Sequence, residues 1–523
     1  MPLYPPSWLE KAVFYQVYPQ SFFDSNGDGI GDLPGLTQKL GYLKSMGFNA
    51  LWLNPCFDSP FQDAGYDVAD YYRVAPRYGT NADAKRLFQE AGKKGIRVCL
   101  DLVPGHTSLQ HPWFKRSAEV ESNAYSGRYI WADGSSEIHE PELNLIRGYA
   151  ERPVGYAANY YYSQPSLNYG FAKPHPGKPW QVPVTHPDAR ATAKEMLNIM
   201  RFWMRMGAAG FRVDMAGSLV KQDSGQSATI RLWSGLSKSL KREFPEAFLI
   251  SEWSDPARAI RAGFDADFLI HFGPHAKAYN CLFRLGAKSF FRPEGKGDPR
   301  PFLSTYLRLL KAAGKRGYIS VPSGNHDFSR LSVGRTSEDL KVCFAFLLTL
   351  PGLPFVYYGD EIGMAYQGHL PSKEGGYDRT GSRTPMQWDE GKNRGFSKAR
   401  REKLYLPVDR RRGSPDVAAQ EGEPDSLLET VRGLIRLRQN HPALGAKGSF
   451  KVLADGRGKK PLVYLREGKK ERILVALNPG AKGTRLKLKV RGRAVPLALQ
   501  RMQSKTNHDL DCGGVSYGIF RLV

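Results

Sequence analysis

The sequence predicts an α/β protein built on a (β/α)8 barrel, and three observations support this fold class. Short apolar runs alternate with amphipathic helical segments along most of the chain, a pattern typical of a parallel sheet with right-handed crossovers. Polar residues follow several of the apolar runs, at the strand ends where barrel enzymes carry their active sites. After about residue 444 the runs become short and alternating, which indicates a C-terminal antiparallel β-domain.

Eight apolar, β-branched and aromatic runs are predicted to be the barrel strands. They are residues 12–22, 49–55, 96–103, 212–214, 247–253, 267–272, 318–322 and 353–358. The alternation stops between residues 104 and 183, where Trp, Tyr, Pro, Gly and Asn are concentrated. We therefore expect a small subdomain B at 104–183, inserted after strand three between barrel segments 1–103 and 184–443, and a C-terminal β-sandwich at 444–523.

Composition narrows the class of protein. The chain has 523 residues and is 41% hydrophobic, which excludes global disorder. Its 75 Lys and Arg against 51 Asp and Glu give a net charge of +24, a balance that would also suit a nucleic-acid partner. Since the sequence contains no RNP-type, zinc-finger or helix-turn-helix signature, a solvated basic surface is the better interpretation, and no nucleic-acid partner is expected.

The cysteines and the hydropathy pattern bear on location. Five cysteines are scattered in mostly apolar contexts, which indicates free buried thiols in a reducing compartment. The first residues lack a basic segment followed by an apolar one, so no signal peptide is expected. No apolar run reaches the roughly 18 residues of a membrane span. The expected location is the cytoplasm, without a membrane partner.

An early loop carries a spacing typical of calcium binding. Oxygen donors stand at the first, third, fifth and ninth positions of the loop, a glycine at the sixth and a backbone carbonyl at the seventh. The candidate ligands are Asp24, Asn26, Asp28, Ile30 (through its carbonyl) and Asp32. The acidic residue usual at the twelfth position is replaced by Gly35. A solvated turn is the alternative, but we expect a structural Ca²⁺, or Mg²⁺, and no organic cofactor.

The strand-four segment, residues 210–217, places two charges in an otherwise apolar run. Arg212 and Asp214 are two residues apart, so a strand directs both to one side. Taken alone, the pair is better explained as a structural ion pair, because buried charges are costly unless they pair. Glu252 ends strand five and Asp327 follows strand seven, and acids converging on one rim of a barrel favour catalysis instead.

Four segments resemble the core motifs of the α-amylase family of glycoside hydrolases. They are DLVPGH (101–106), GFRVD (210–214), SEW (251–253) and GNHD (324–327). Further matches at QPSLN (164–168) and RTPMQWD (383–389) are similar to the oligo-1,6-glucosidase, α-glucosidase and trehalose synthase branch. The resemblance spans nearly the whole chain and implies a barrel enzyme that acts on short α-glucosides.

The resemblance also implies residue roles. Asp214 would be the nucleophile, Glu252 the general acid/base and Asp327 a third carboxylate that stabilises the transition state. Arg212 would lower the pKa of Asp214, while a raised pKa would keep Glu252 protonated. The two carboxyls are expected ~5–5.5 Å apart, as retention of configuration requires.

The same resemblance implies a substrate pocket. His106 and His326 would bind the glucosyl ring, Tyr66 would stack on it, and Asp63 with Arg383 would close its non-reducing end. A pocket closed in this way releases single glucosyl units, so exo action is expected.

Three positions depart from the family pattern. Gly105 replaces a typical calcium ligand, which favours the 24–32 loop as the metal site. Ser166 stands where the branch commonly carries Asp. Met215, after the nucleophile, matches neither the valine of α-1,6-specific relatives nor the alanine or threonine of α-1,4-specific ones, so it leaves the linkage open.

The predicted function is that of a retaining, exo-acting α-glucosidase or α-glucosyltransferase on small oligosaccharides. A trehalose synthase-type isomerase and a non-catalytic amylase-like binding subunit are the alternatives, and intact Asp214, Glu252 and Asp327 argue against the latter. A monomer or a homodimer fits the sequence equally.

Overall fold

The structure, a computed structural model, describes residues 4–132, 143–459, 461–488, 490–504 and 509–523. The strands in these ranges are β1 (Phe14–Val17), β2 (Ala50–Leu53), β3 (Phe57–Asp58), β4 (Asp70–Val74), β5 (Arg97–Leu102), β6 (Trp131–Ala132), β7 (Asn144–Ile146), β8 (Gly155–Ala158), β9 (Gly210–Val213), β10 (Phe248–Ser251), β11 (Ala266–Phe268), β12 (Tyr318–Ser320), β13 (Phe355–Tyr357), β14 (Lys451–Asp455), β15 (Leu462–Glu467), β16 (Arg472–Asn478), β17 (Thr484–Lys487), β18 (Ala494–Ser504) and β19 (Asp509–Leu522).

The α-helices in the same ranges cover the barrel and join its strands. They are α1 (Leu33–Gln38), α2 (Leu40–Met46), α3 (Asn81–Lys93), α4 (Pro112–Ser117), α5 (Pro187–Met206), α6 (Ser227–Glu243), α7 (Pro256–Arg261), α8 (Ala276–Phe283), α9 (Arg300–Ala313), α10 (Ser337–Thr349), α11 (Val417–Gln420) and α12 (Leu427–Asn440). Among the helices described, none combines the length and the apolar character that crossing a membrane requires.

Eight parallel strands form the barrel, in the order β12-β11-β10-β9-β5-β2-β1-β13. A parallel bridge between Pro322, just after β12, and Phe355 in β13 brings the two ends of the sheet together. Each strand falls within, or overlaps, one of the eight predicted runs, so the predicted fold class is confirmed.

Alternate residues of each barrel strand point inward. These inward residues are apolar in the lower layer, toward the amino-terminal ends of the strands, and polar in the upper layer, toward the carboxyl-terminal ends. Phe14 and Phe355 stack in the lower layer, with ring centroids 4.2 Å apart, and Cys99 lies in the same cluster. Two residues further along β5 is Asp101, which lies beside Arg212 in the pairing of β5 with β9. The strand pattern therefore delivers charged side chains to the carboxyl-terminal rim.

Two excursions interrupt the strand–helix alternation. The predicted subdomain B contains a three-stranded antiparallel sheet, β6-β8-β7, and helix α4; residues 133–142 of that subdomain lie outside the described residues. The antiparallel pair β3–β4, between β2 and β5, was not predicted.

The C-terminal strands were predicted to form a β-sandwich. In the described residues, all six are hydrogen-bonded into a single antiparallel sheet, β14-β15-β16-β19-β17, with β18 on the other side of β19. One face of this sheet packs on the main core through residues such as Tyr464 and Val475, and the other face buries its own cluster around Leu474 and Phe520. All five cysteines of the chain are free and buried.

Candidate active site

Three carboxylates meet at the carboxyl-terminal rim of the barrel. Asp214 directly follows β9, Glu252 directly follows β10, and Asp327 lies in the segment beyond β12. They share a cavity of about 390 Å³, within the range of small-ligand sites. The cavity is lined by Asp63, Tyr66, His106, Tyr160, Gln164, Asp214, Met215, Glu252, His271, Phe272, His326, Asp327 and Arg379.

Arg212 is the buried cation that holds the acids together. Its Nη1 donates to Oδ1 of Asp101 at 2.8 Å and to Oδ1 of Asp214 at 2.9 Å, and its Nη2 pairs with Oε1 of Glu252. A guanidinium with five donors in a planar fork can bind several carboxylates in this way. The burial cost of the charges is offset because each has a partner.

Burial dominates the proton affinities of Asp214 and Glu252. It raises the pKa of Asp214 to about 7, although Arg212 acts to lower it. It raises the pKa of Glu252 to about 8, against the same opposing effect of Arg212. Arg212 thus acts on the pKa of Asp214 in the predicted direction, but desolvation outweighs the ion pair and the net pKa is raised. The expected raised pKa of Glu252 agrees with the structure.

His326 is held as a neutral ring with one defined tautomer. Its Nδ1 lies 3.0 Å from Nε2 of Gln16 and 3.1 Å from Nδ2 of Asn54, both of which are donors. Nδ1 therefore accepts, and Nε2 carries the proton toward Tyr66 Oη at 2.8 Å and Asp327 Oδ2 at 3.1 Å. Burial lowers the pKa of His326 well below its usual value.

Asp327 differs from the other two acids in its charge environment. Burial acts to raise its pKa, but the positive charges of Arg383 and Arg379 outweigh that effect and hold the pKa of Asp327 below its usual range, while the neutral His326 ring donates a hydrogen bond to it. Asp327 is thus a permanent anion next to a pair of acids that titrate near neutrality.

His106 also lines the cavity, with both ring nitrogens engaged by the protein. Its Nε2 is 3.0 Å from the carbonyl oxygen of Tyr66, and Nδ2 of Asn159 is 2.9 Å from its Nδ1. Burial lowers the pKa of His106 to about 4, so the ring is neutral. Tyr66 stacks on His326 with ring centroids 5.4 Å apart, which leaves only its other face for a sugar.

Asp63 lines the cavity, and the arginine beside it is Arg379, for which no role was predicted. Nη2 of Arg379 lies 3.6 Å from Oδ1 of Asp63, and Nη1 of Arg379 lies 3.0 Å from Oδ1 of Asp327. Arg383 is buried behind the cavity, where it donates to the His326 carbonyl at 2.9 Å and approaches Asp327 only at 3.4 Å. Gln164 donates to Oδ2 of Asp63 at 2.7 Å.

Sequence reasoning missed several of these lining residues. Arg379 stands four residues before Arg383 in the same segment, and the sequence contains both arginines without showing which one faces the cavity. Gln164 is the first residue of the QPSLN match, but no role was predicted for it. Tyr160 and Phe272 carry no local pattern that marks them.

One residue that lines the cavity, Met215, has a strained backbone conformation. Met215 adopts left-handed φ/ψ values of 39° and 41°, and its N–H lies 3.2 Å from Oε2 of Glu252. Phe61, Ala64 and Ser254 also have positive φ. Non-glycine residues in this region cost about 1–3 kcal/mol each and cluster at functional sites.

The predicted calcium loop has oxygen donors whose positions are fixed by its own backbone. Asp24 Oδ2 accepts from the N–H of Gly29 at 2.8 Å, Asp28 Oδ1 from that of Ile30 at 2.8 Å, and Asp32 Oδ1 from that of Gly35 at 2.6 Å. An oxygen-only set suits Ca²⁺. In the part of the chain that the structure describes, however, no three Asp, Glu, His or Cys residues gather in a metal-holding group. Calcium at Asp24, Asn26, Asp28, Ile30 and Asp32 stays a prediction.

A (β/α)8 barrel with a carboxylate cluster and a closed-ended cavity at its carboxyl-terminal rim defines an enzyme of the glycoside hydrolase class. The sequence model described as alpha amylase, catalytic domain, matches residues 16–447. The chain belongs to the alpha-amylase family.

Individual relatives refine this placement. The chain is 31% identical to the trehalose synthase/amylase TreS of Mycolicibacterium smegmatis, over 88% of this chain and 81% of that protein. It is also 31% identical to an oligo-1,6-glucosidase of Heyndrickxia coagulans, over 90% and 92% of the two chains. A solved structure of an inactive double mutant of MutB in complex with isomaltulose matches with a TM-score of 0.84 and 26% identity, over 99% of each chain. Together these relatives support an α-glucosidase or glucosyltransferase type of activity.

Proposed function

We propose that this enzyme is a retaining, exo-acting α-glucosidase or α-glucosyltransferase of short α-glucosides, with Asp214 as nucleophile and Glu252 as general acid/base. The observation that supports this most strongly is the shared contact of Asp214 and Glu252 with Arg212. Two carboxylates that bind the same guanidinium lie close together. That closeness favours the ~5–5.5 Å spacing of retaining enzymes over the ~6.5–9.5 Å spacing of inverting ones.

The proton arrangement fits the two displacements of a retaining reaction. With the pKa of Asp214 at about 7 and that of Glu252 at about 8, the pair holds one proton between these values, preferentially on Glu252. Glu252 donates that proton to the departing glycosidic oxygen while ionised Asp214 attacks the anomeric carbon. Glu252, now a carboxylate, takes a proton from the acceptor hydroxyl that releases the glucosyl group from Asp214.

The remaining polar groups position the glucosyl ring. Asp327 remains ionised and is fixed by Arg379 and His326, so it can accept hydrogen bonds from sugar hydroxyls without competing for the catalytic proton. Asp63 and Arg379 form a charged wall at the end of the cavity. That wall supports exo action, because a longer chain beyond the glucosyl ring would have to displace an ion pair.

A trehalose synthase-type isomerisation is the second candidate. It is favoured by the similarity to TreS of Mycolicibacterium smegmatis, which equals the similarity to the oligo-1,6-glucosidase. The same covalent intermediate serves hydrolysis, transfer and isomerisation, since the reactions differ only in which hydroxyl accepts the glucosyl group.

Product analysis with maltose tests the proposal and separates its variants. Hydrolysis yields glucose alone, isomerisation yields trehalose, and transfer yields longer oligosaccharides. Parallel incubations with isomaltose, sucrose and maltotriose report the linkage that Met215 leaves open. Asp214→Asn should abolish all products, and undiminished turnover by this variant would rule out the proposed mechanism.

A further inference from the structure

A second, smaller cavity lies behind the segment that follows Asp327. Its volume is about 130 Å³, below the ~300 Å³ at which small-molecule sites begin. It is nevertheless well above the ~30 Å³ that one water molecule occupies in the liquid. Four arginines line it, namely Arg284, Arg292, Arg330 and Arg335, and we call it the arginine cavity.

Arg330 is buried in the wall of the arginine cavity with two unused donor groups. Its Nη1 donates to the carbonyl of Tyr358 at 2.6 Å and to Oδ1 of Asp360 at 3.2 Å. Its Nε and Nη2 are buried and have no hydrogen-bond partner among the residues described. Buried charged donors left unpaired cost free energy, so a ligand that accepts from them is stabilised.

The other arginines leave the cavity with excess positive charge. Arg335 donates to the carbonyls of Phe291 at 2.7 Å, Leu331 at 2.9 Å and Phe283 at 2.9 Å, which satisfy its N–H groups without neutralising it. Arg284 donates to the backbone and hydroxyl oxygens of Ser329, at 3.3 and 3.2 Å.

Carboxylates balance only part of this charge within the described chain. Arg292 pairs with Glu294 and Arg330 with Asp360, while the ion pairs found include none for Arg284 or Arg335. Burial, and then the charge of Arg335, lower the pKa of Arg284 despite the opposing effect of Tyr279. An anion in the cavity would relieve this repulsion.

We propose that the arginine cavity binds a small oxyanion of the inorganic phosphate or sulfate type. The unpaired Nε and Nη2 of Arg330 form one edge of a planar fork that matches two oxygens of a tetrahedral oxyanion, and the neighbouring arginines add positive charge around it. Water could fill the space and accept from Nε and Nη2 of Arg330, but it would leave the excess charge in place. The site is separate from the glucoside cavity, although Phe328 and Ser329 connect its wall to Asp327 in sequence.

Isothermal titration of the full-length protein with inorganic phosphate tests this proposal, at constant ionic strength and with sulfate and chloride in separate runs. We expect saturable binding of one phosphate or sulfate per chain. Arg284→Gln should weaken it at least tenfold, because this partly exposed side chain contributes charge and its contacts with Ser329 are peripheral. Arg335→Gln serves as the second variant if Arg284→Gln does not fold.

Two matched arginine variants separate the arginine cavity from other basic sites. Arg379→Gln removes a cation from the glucoside cavity, and Arg401→Gln removes an exposed arginine that lines neither cavity; both variants should bind phosphate like the unmodified chain. The proposal is overturned by an absence of saturable binding, by equal affinity in Arg284→Gln, or by loss of binding in Arg379→Gln instead. Chloride binding as tight as phosphate binding would overturn the oxyanion assignment. These readouts do not depend on turnover, so they stand or fall separately from the glucosidase proposal.

Discussion

Arg212 contacts three acids at once, and this single residue links the strand pattern to the chemistry. It pairs with Asp101 on the neighbouring strand, with Asp214 and with Glu252. Desolvation raises the pKa of Asp214 and of Glu252 by more than the ion pairs with Arg212 lower it, so both carboxyls titrate near neutrality. Two interacting acids of this kind titrate as a pair with two apparent pKa values.

The pH dependence of kcat/KM should be a narrow bell. Activity requires Asp214 ionised and Glu252 protonated, so it should rise with pH through about 7 and fall through about 8. At a pH two units below the lower pKa, kcat/KM should be roughly 100-fold lower than at its maximum. Initial rates on maltose across the pH range provide the measurement.

The assignment of the alkaline limb can be checked separately. In Glu252→Gln, assayed with p-nitrophenyl α-glucoside, the rate of glucosyl-enzyme formation should no longer fall above a pH of about 8. The reason is that the nitrophenol leaving group needs no proton. A burst of nitrophenol measures that step. An alkaline limb that persists in Glu252→Gln would assign the higher pKa to another group.

Arg379→Gln should lower kcat/KM of α-glucosides by about 100-fold. The reason is that Arg379 holds Asp327 at 3.0 Å and lies 3.6 Å from Asp63, and a hydrogen bond to a charged group contributes about 1.5–3 kcal/mol. The matched control is Arg394→Gln, which breaks a remote contact with Asp416 and should leave kcat/KM unchanged. Equal losses in both variants would indicate a general folding defect instead.

At the scale of elements, the strands were predictable because a buried parallel strand needs a continuous apolar run bounded by turns. The run at residues 247–253, for example, contains β10. Seven of the eight observed strands are shorter than their predicted runs, whose last residues leave the ladder to form the rim; β9 is the exception. The β3–β4 pair could not be predicted because β3 has only two residues and the register shifts between them. The choice of Arg379 over Arg383 depends on contacts with Asp63 and Asp327, which are distant in sequence.

The loop at residues 24–32 gives a prediction of its own, since we propose that it binds a structural Ca²⁺. Removing Ca²⁺ with a chelator should then lower the melting temperature without changing the product profile, because a ligand that binds only the folded state stabilises it by mass action. Asp28→Ala should make the melting temperature insensitive to both chelator and added Ca²⁺. Calorimetric scans with and without Ca²⁺ provide the measurement.

A second variant in the same loop, Gly29→Ala, changes the stability of the loop without removing a candidate metal ligand. Gly29 has φ of +98°, and a Cβ there would meet the Lys403 carbonyl oxygen at 2.1 Å. Gly29→Ala should therefore destabilise the loop whether or not a metal binds. If neither chelator nor added Ca²⁺ changes the melting temperature of the unmodified chain, a metal at this loop is excluded.

At the scale of the whole molecule, the C-terminal sheet is joined to the barrel around the end of α10. The last carbonyls of a helix have no partner within the helix. Arg438 of α12 donates to the carbonyls of Leu348 at 3.0 Å and Leu350 at 2.7 Å. Arg466 of β15 donates to the carbonyl of Thr349, and the Tyr464 hydroxyl contacts that of Thr349. Buried side chains from the sheet therefore complete a helix of the barrel.

Arg466→Met should destabilise barrel and sheet together. Arg466 is fully buried and also donates to the carbonyls of Ser449 at 2.8 Å and Gly445 at 2.7 Å, so methionine, which is shorter and has no N–H, would leave several buried acceptors unpaired. A loss of about 3 kcal/mol is expected, because each buried acceptor left unpaired costs about 1–3 kcal/mol. For a chain of this length that loss corresponds to a fall of about 3 °C in melting temperature.

Arg485→Met, on the exposed face of the same sheet, should leave the melting temperature unchanged. If the sheet were an independent domain, Arg466→Met would lower only a separate C-terminal transition, whereas the shared helix end predicts that loss of activity on heating follows the same shift.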